Sequence, residues 1–250
     1  MRSRPAGRER SVQQDPLFHT IVATDVEKSS GRNDNLLLRM RADLRDMLTS
    51  TLSRQNIDLA AVTMLDDGDG FRVLLPAGVP PHALLDPFVN RLGIELRAHR
   101  ESAAAANRLR LRVALHSGLL HREESGSFTG RPLQACARLL DTPAGRELLT
   151  ENPKADMVVL LTDGFYDDVV RSGTSLDPAW FRPIPIQVKE TDGHGWAYLP
   201  GLLVPAARPV RPESAPAPQN PAPQSPATSS VSITGGTIGT IIGGNYYGRR

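Results

Sequence analysis

Two aspartates stand where their type and spacing could do chemistry. Asp25 ends the apolar run Phe18–Val26, and Asp69 sits in Asp66-Asp67-Gly68-Asp69-Gly70 between two further apolar runs. Two carboxylates a few ångströms apart make a hard-oxygen site suited to Mg²⁺ or Mn²⁺. Such ions activate a hydroxyl and clamp a triphosphate during in-line phosphoryl transfer. The plainer alternative is turn chemistry alone, since Asp and Gly shape hairpins without any ligand. Other candidates are weaker. The single cysteine, Cys136, excludes an internal disulfide framework and a cysteine-based zinc cage, and reads as a small packed thiol. The histidines show no metal-ligand spacing, and His116 reads as a half-buried strand residue. Trp180 and Trp196 read as core or lid aromatics.

For the carboxylates to meet, the strand ending at Asp25 must lie beside the hairpin carrying Asp69. The pattern supplies that arrangement. Phe18–Val26 reads as a buried strand, and Asn33 or Asp34 caps a helix whose apolar positions Leu37, Met40, Leu44, Leu48 and Leu52 keep a helical period. Ala60–Leu65 and Phe71–Leu75 read as hairpin strands. A helix over 82–105 follows, with Pro87 in its first turn. Leu109–His116 alternates as a strand, and Leu119–Arg122 is expected to return from it. Beyond these come a helix at Pro132–Leu140, a strand at Met157–Leu161, a helix near Phe165–Arg171, and closing strands at Ile184–Glu190 and Trp196–Leu199. The first part is β-α-β-β-α-β. The expected fold class is α+β, a ferredoxin-like βαββαβ sandwich extended by C-terminal strands.

Composition divides the chain of 250 residues into four segments. Residues 1–16 are polar and Arg-rich, without the apolar stretch of a secretory signal, and are expected to be disordered. Residues 17–203 form the folded body. The linker 204–228 is rich in proline, with eight between Pro205 and Pro226, and reads as an extended tether. The tail 229–250 interleaves Val231, Ile233, Ile238, Ile241 and Ile242 with threonine and six glycines, a β-prone pattern. No run is long and apolar enough for a membrane helix, so no membrane partner and a cytoplasmic location are expected. With 29 basic against 27 acidic residues, the charge balance argues against a chain-wide nucleic-acid surface, though not against a local patch, and no nucleic-acid partner is expected.

Four segments then occur in a telling order: Thr20-Ile-Val-Ala-Thr-Asp25-Val, Asp67-Gly-Asp69-Gly-Phe71, Leu111-Arg-Val-Ala-Leu-His-Ser-Gly118 and Gly130-Arg-Pro-Leu-Gln-Ala-Cys-Ala-Arg138-Leu. Together they resemble the catalytic domain of class III nucleotidyl (adenylate/guanylate) cyclases, over roughly residues 17–200. The resemblance implies that Asp25 and Asp69 hold two Mg²⁺ or Mn²⁺ ions, and that a nucleoside triphosphate becomes a 3′,5′-cyclic nucleotide and pyrophosphate. It also implies that Arg138 stabilises the transition state on the phosphates, a task suited to a planar guanidinium. Lys189, one of only three lysines, matches the contact to the terminal phosphates. A homodimer is implied too, with the carboxylates and the arginine acting from different subunits.

Departures from the family pattern are as informative. Gln134 stands where the family has asparagine. Leu65 replaces the purine-selecting lysine, and Ser127 aligns near its usual partner. Lys28 replaces a permissive glycine in the phosphate-cradling turn. The phosphate machinery is thus largely kept while the base-reading machinery is not. An enzyme using an unusual base, such as a pyrimidine, and a degenerate pseudo-cyclase that binds or scaffolds both remain open. The tail resembles amyloid signalling motifs related to the RIP homotypic interaction motif, although Gly244 alone separates Gly243 from Asn245 where two residues are expected. That likeness implies a partner protein with a matching motif.

Overall fold

The computed structural model describes residues 15–31, 33–173, 176–188 and 191–202. The expectations for residues 1–14, for Lys189, for the linker and for the tail fall outside the described residues. The body is built on one sheet in the order β2-β3-β1-β4-β6-β8-β7. Here β1 is Leu17–Val26, β2 Thr63–Asp66, β3 Phe71–Pro76 and β4 Leu111–Arg122. The short β5, Phe128–Thr129, pairs with β4 off this path. Met157–Thr162 is β6, Arg182–Val188 is β7 and Thr191–Tyr198 is β8. Among the described residues, only β4 and β6 run parallel, and the other ladders are antiparallel. The expected split βαββαβ arrangement is therefore present, with β1 at its centre beside the β2–β3 hairpin.

Strand β1 is buried on both faces because helices cover both, and its alternation sorts its side chains between two cores. Val22 and Val26 pack with Leu44 and Leu48 of α1 (Asp34–Ser53) and Leu92 and Leu96 of α2 (Asn90–Ser102). Ile21 and Ala23 pack with Leu139 of α3 (Arg131–Asp141) and Leu149 of α4 (Pro143–Glu151). Helix α1 starts at the expected cap, with the Asn33 side chain accepting from the Leu36 amide at 3.0 Å.

Several boundaries differ from expectation, each for a local reason. The strand expected at Ala60 begins at Thr63, because Asp58 caps a tight helical turn over Leu59–Ala61. The helix expected over 82–105 is broken at Asp86, which is extended ahead of Pro87 (φ −143°, ψ 117°), and regular winding starts at Asn90. No return occurs at Gly118. Strand β4 runs straight through it, and β5 makes the return. The glycine serves packing instead, since a Cβ there would lie 2.6 Å from Cγ of Pro132. Helix α4 was not expected. Thr142 caps it through the Gly145 amide at 3.3 Å, with Pro143 in its first turn. The helix expected near Phe165–Arg171 is one α-turn, α5 (Asp163–Tyr166), followed by a wider turn over Asp167–Arg171.

Candidate metal centre

Thr24 places the first carboxylate relative to the second. Its buried hydroxyl accepts from the Phe71 amide at 3.0 Å and donates to the Phe71 carbonyl at 3.2 Å, which fastens the start of β3 to the end of β1. Gly70 makes that approach possible. A Cβ at residue 70 would stand 1.8 Å from the Thr24 carbonyl oxygen, so only glycine fits. The turn itself closes through the Asp67 amide to the Gly70 carbonyl at 3.1 Å, with Gly68 at φ 83°. Asp25 and Asp69 are thereby delivered to one cavity of about 300 Å³, at the end of β1 and beneath α3.

Among the described residues, four carboxylates line this cavity, those of Asp25, Asp67, Asp69 and Asp141, against two guanidinium groups, Arg112 and Arg146. Asp69 accepts from the Ser29 hydroxyl at 2.5 Å. Asp141 pairs with Arg146 at 3.1 Å, and Asp67 with Arg72. Arg112 lies directly across the β1–β4 ladder from Asp25 and forms an ion pair with its Oδ2. Burial pushes the Arg112 pKa below its usual value, with Arg146 adding to the effect and Asp141 opposing it. Oδ2 of Asp25 is buried yet accepts no directed hydrogen bond, and Nε of Arg112 donates none. The cavity offers hard oxygen donors of the kind that suit Mg²⁺ or Mn²⁺, with Oδ2 of Asp25 held by Arg112.

The turn after β1 is braced from below. The Glu27 amide donates to the Arg110 carbonyl at 2.9 Å, and its carboxylate pairs with Nη1 of Arg110 at 2.7 Å. Arg110 also donates to the carbonyls of Ala155 and Asn152, both at 2.9 Å, tying the turn to the segment after α4. Lys28 follows with φ 57°, the left-handed conformation its position demands. For a residue with a Cβ that conformation costs about 1 kcal/mol.

Among the described residues, the other sequence candidates do not line the cavity. Gln134 and Arg138 lie one turn apart on α3, the first exposed and the second half-buried. Leu65 packs half-buried against the core beneath α3 and α4. Ser127 is exposed, and its hydroxyl accepts from Ser125 at 3.0 Å. Lys28 is exposed. His116 bonds the Thr162 hydroxyl at 2.7 Å, and burial lowers its pKa, so it stays neutral near pH 7. Burial lifts the Cys136 thiol to about 12, which keeps it inert. Arg112, Arg146, Asp67, Asp141 and Ser29 escaped the sequence reading. Of these, Arg112 and Asp67 had a usable signal, because they sit in the segments Leu111-Arg-Val-Ala-Leu-His-Ser-Gly118 and Asp67-Gly-Asp69-Gly-Phe71. A larger cavity, about 530 Å³, is lined by His82, Asp86 and Asp168 among others, but it gathers none of the motif residues.

Solved structures share this architecture. The catalytic core of a rhodopsin–guanylyl cyclase with converted specificity, in complex with ATPαS, superposes with a TM-score of 0.52 at 16% identity, covering 76% of this chain and 98% of that one. The guanylyl cyclase Cya2 gives 0.52 at 12% identity over 75% and 93%. An adenylate/guanylate cyclase/hydrolase from Silicibacter pomeroyi gives 0.53 at 15% identity over 76% and 100%. The sequence matches no protein-family model and no curated protein. The body therefore has the fold of an adenylate/guanylate cyclase catalytic domain. At these identities the likeness is one of fold.

Proposed function

We propose that this protein is a nucleotidyl cyclase that converts a nucleoside triphosphate to a 3′,5′-cyclic nucleotide and pyrophosphate. The observation that carries the reading is the convergence of Asp25 and Asp69 in one acidic cavity on this fold. Asp25 and Asp69 would hold the divalent ions, which supply charge neutralisation on the triphosphate and acidify the 3′-hydroxyl. In the reaction the 3′-oxygen bonds the α-phosphorus and the bond from that phosphorus to the β-bridging oxygen breaks. Pyrophosphate leaves with the electron pair, and the hydroxyl proton passes to solvent. Arg138 and Gln134, which lie outside the cavity of their own chain, act on the phosphates from the second subunit of a homodimer. Lys189 is assigned to the terminal phosphates. Leu65 and Ser127 offer no cationic contact to a purine, which leaves the base pocket open to a pyrimidine.

A second reading is favoured by the Lys28 conformation and by Leu65, which packs against the core. It is a pseudo-cyclase that binds nucleotide, or scaffolds a complex through the amyloid-like tail. Incubating the full chain with each of the four ribonucleoside triphosphates and Mn²⁺, with products resolved by chromatography, decides between them. A cyclic product that disappears in Asp25→Asn and Asp69→Asn establishes the enzyme. No product from any nucleotide, with fibre formation that Ile241→Asp abolishes, establishes the scaffold.

A further inference from the structure

Resting on the cyclase reading and its metal site, we infer that Arg146 binds the triphosphate chain of the substrate, exchanging Asp141 for phosphate oxygens when the nucleotide arrives. Arg146 stands in the first turn of α4 and lines the same cavity as Asp25 and Asp69. Packing holds that turn in place. Thr142 caps it through the Gly145 amide, and Gly145 lies so close to β6 that a Cβ there would stand 3.0 Å from Cδ1 of Leu160. The backbone of residue 146 is thus anchored against the sheet, while its side chain is not. Its guanidinium pairs only with Asp141, at 3.1 Å, and the two side chains are 53% and 64% exposed. An ion pair so open to water contributes little, so giving it up costs little.

A guanidinium suits the task because its planar fork grips two phosphate oxygens at once. Arg146 also lies close enough to Arg112 for the two like charges to act on one another, a repulsion that an anion in the cavity relieves. The cavity's carboxylates alone would repel a polyphosphate. Divalent ions on Asp25 and Asp69 reverse that sign, and Arg146 adds to the positive charge once they are bound.

The test is calorimetric titration of the full chain with inorganic tripolyphosphate in the presence of Mn²⁺, a probe that carries the phosphates without the base. Arg146→Gln should bind about tenfold more weakly than the parent, the scale of one contact to a charged group. Arg146→Lys, which keeps the charge and loses the fork, should fall between them. Asp141→Asn removes the resident partner and should bind about threefold more tightly, a gain that should shrink in the double variant with Arg146→Gln. Without ligand, Arg146→Gln should melt with the parent, since the side chain is more than half exposed. Equal affinity in the parent and Arg146→Gln overturns the role of Arg146 and leaves the metal site standing. A gain from Asp141→Asn that persists undiminished in the double variant overturns the exchange, because Asp141 then acts by its charge alone. No binding by the parent, or binding that Asp69→Asn leaves untouched, overturns the polyphosphate site itself and the role of Arg146 with it.

Discussion

At the scale of single residues, the separation of the two carboxylates is set by backbone contact more than by the carboxylates themselves. Gly70 lies against the Thr24 carbonyl, and the Thr24 hydroxyl bridges both polar groups of the Phe71 backbone. Gly70→Ala should destabilise the protein by about 3 kcal/mol in urea unfolding, because the carbonyl it meets is backbone and cannot rotate away. The same variant should weaken Mn²⁺ binding by moving Asp69 off Asp25. Thr24→Val keeps the volume but leaves the buried Phe71 amide without its partner, at a cost of about 1–3 kcal/mol. A result in which Thr24→Val unfolds at the parent's urea midpoint would show that the bridge does not hold the hairpin.

At the scale of elements, what the sequence made legible was what periodicity and turn chemistry encode. Strand β1, helix α1 and the Asp-Gly hairpin were readable because burial alternation, helical spacing and glycine placement each carry a local signal. The acidic cavity was half readable. Asp25 and Asp69 sit in recognisable segments, whereas Arg146 and Asp141 reach the site only through the packing of α3 and α4, which no local pattern records. Gly118 misled because glycine in a strand signals either a turn or a close neighbour, and only tertiary structure tells which. Its neighbour is Pro132 of α3, so Gly118→Ala should push that helix outward. The expected loss is about 1–3 kcal/mol in denaturant unfolding, with little change in the circular dichroism of the folded state. Helix α4 was missed although Thr142-Pro143 is a sound start signal, because the helix is only nine residues long.

At the scale of the whole molecule, the cavity and the pair Gln134 and Arg138 do not coincide in one chain, since α3 lends the cavity Ala137, Leu140 and Asp141 instead. If the protein works as proposed, the two must meet across a two-fold axis. Neither Asp69→Ala nor Arg138→Ala should then be active alone, and mixing them should recover up to roughly a quarter of parental activity, since random pairing leaves one intact hybrid site in half of the dimers. Absence of recovery at every mixing ratio would argue for a site within single chains, or for no site at all. The core beneath α3 and α4 includes Leu199 and is touched by Leu202, so a chain ended after residue 203 should keep the parent's unfolding midpoint.

The position of β7 at the outer edge of the sheet has a kinetic consequence. Pro183 and Pro185 deprive that strand of two amide donors, which only an edge tolerates, and β8 is joined to β6 by just four register pairs. The β7–β8 ribbon should therefore open on its own, well below the free energy of global unfolding. Native-state hydrogen exchange should find its amides giving up their protons first, while Ile21, Val22 and Ala23 of β1 exchange only when the whole body unfolds. The carboxylates, three strands away across β6 and β4, would stay in register throughout.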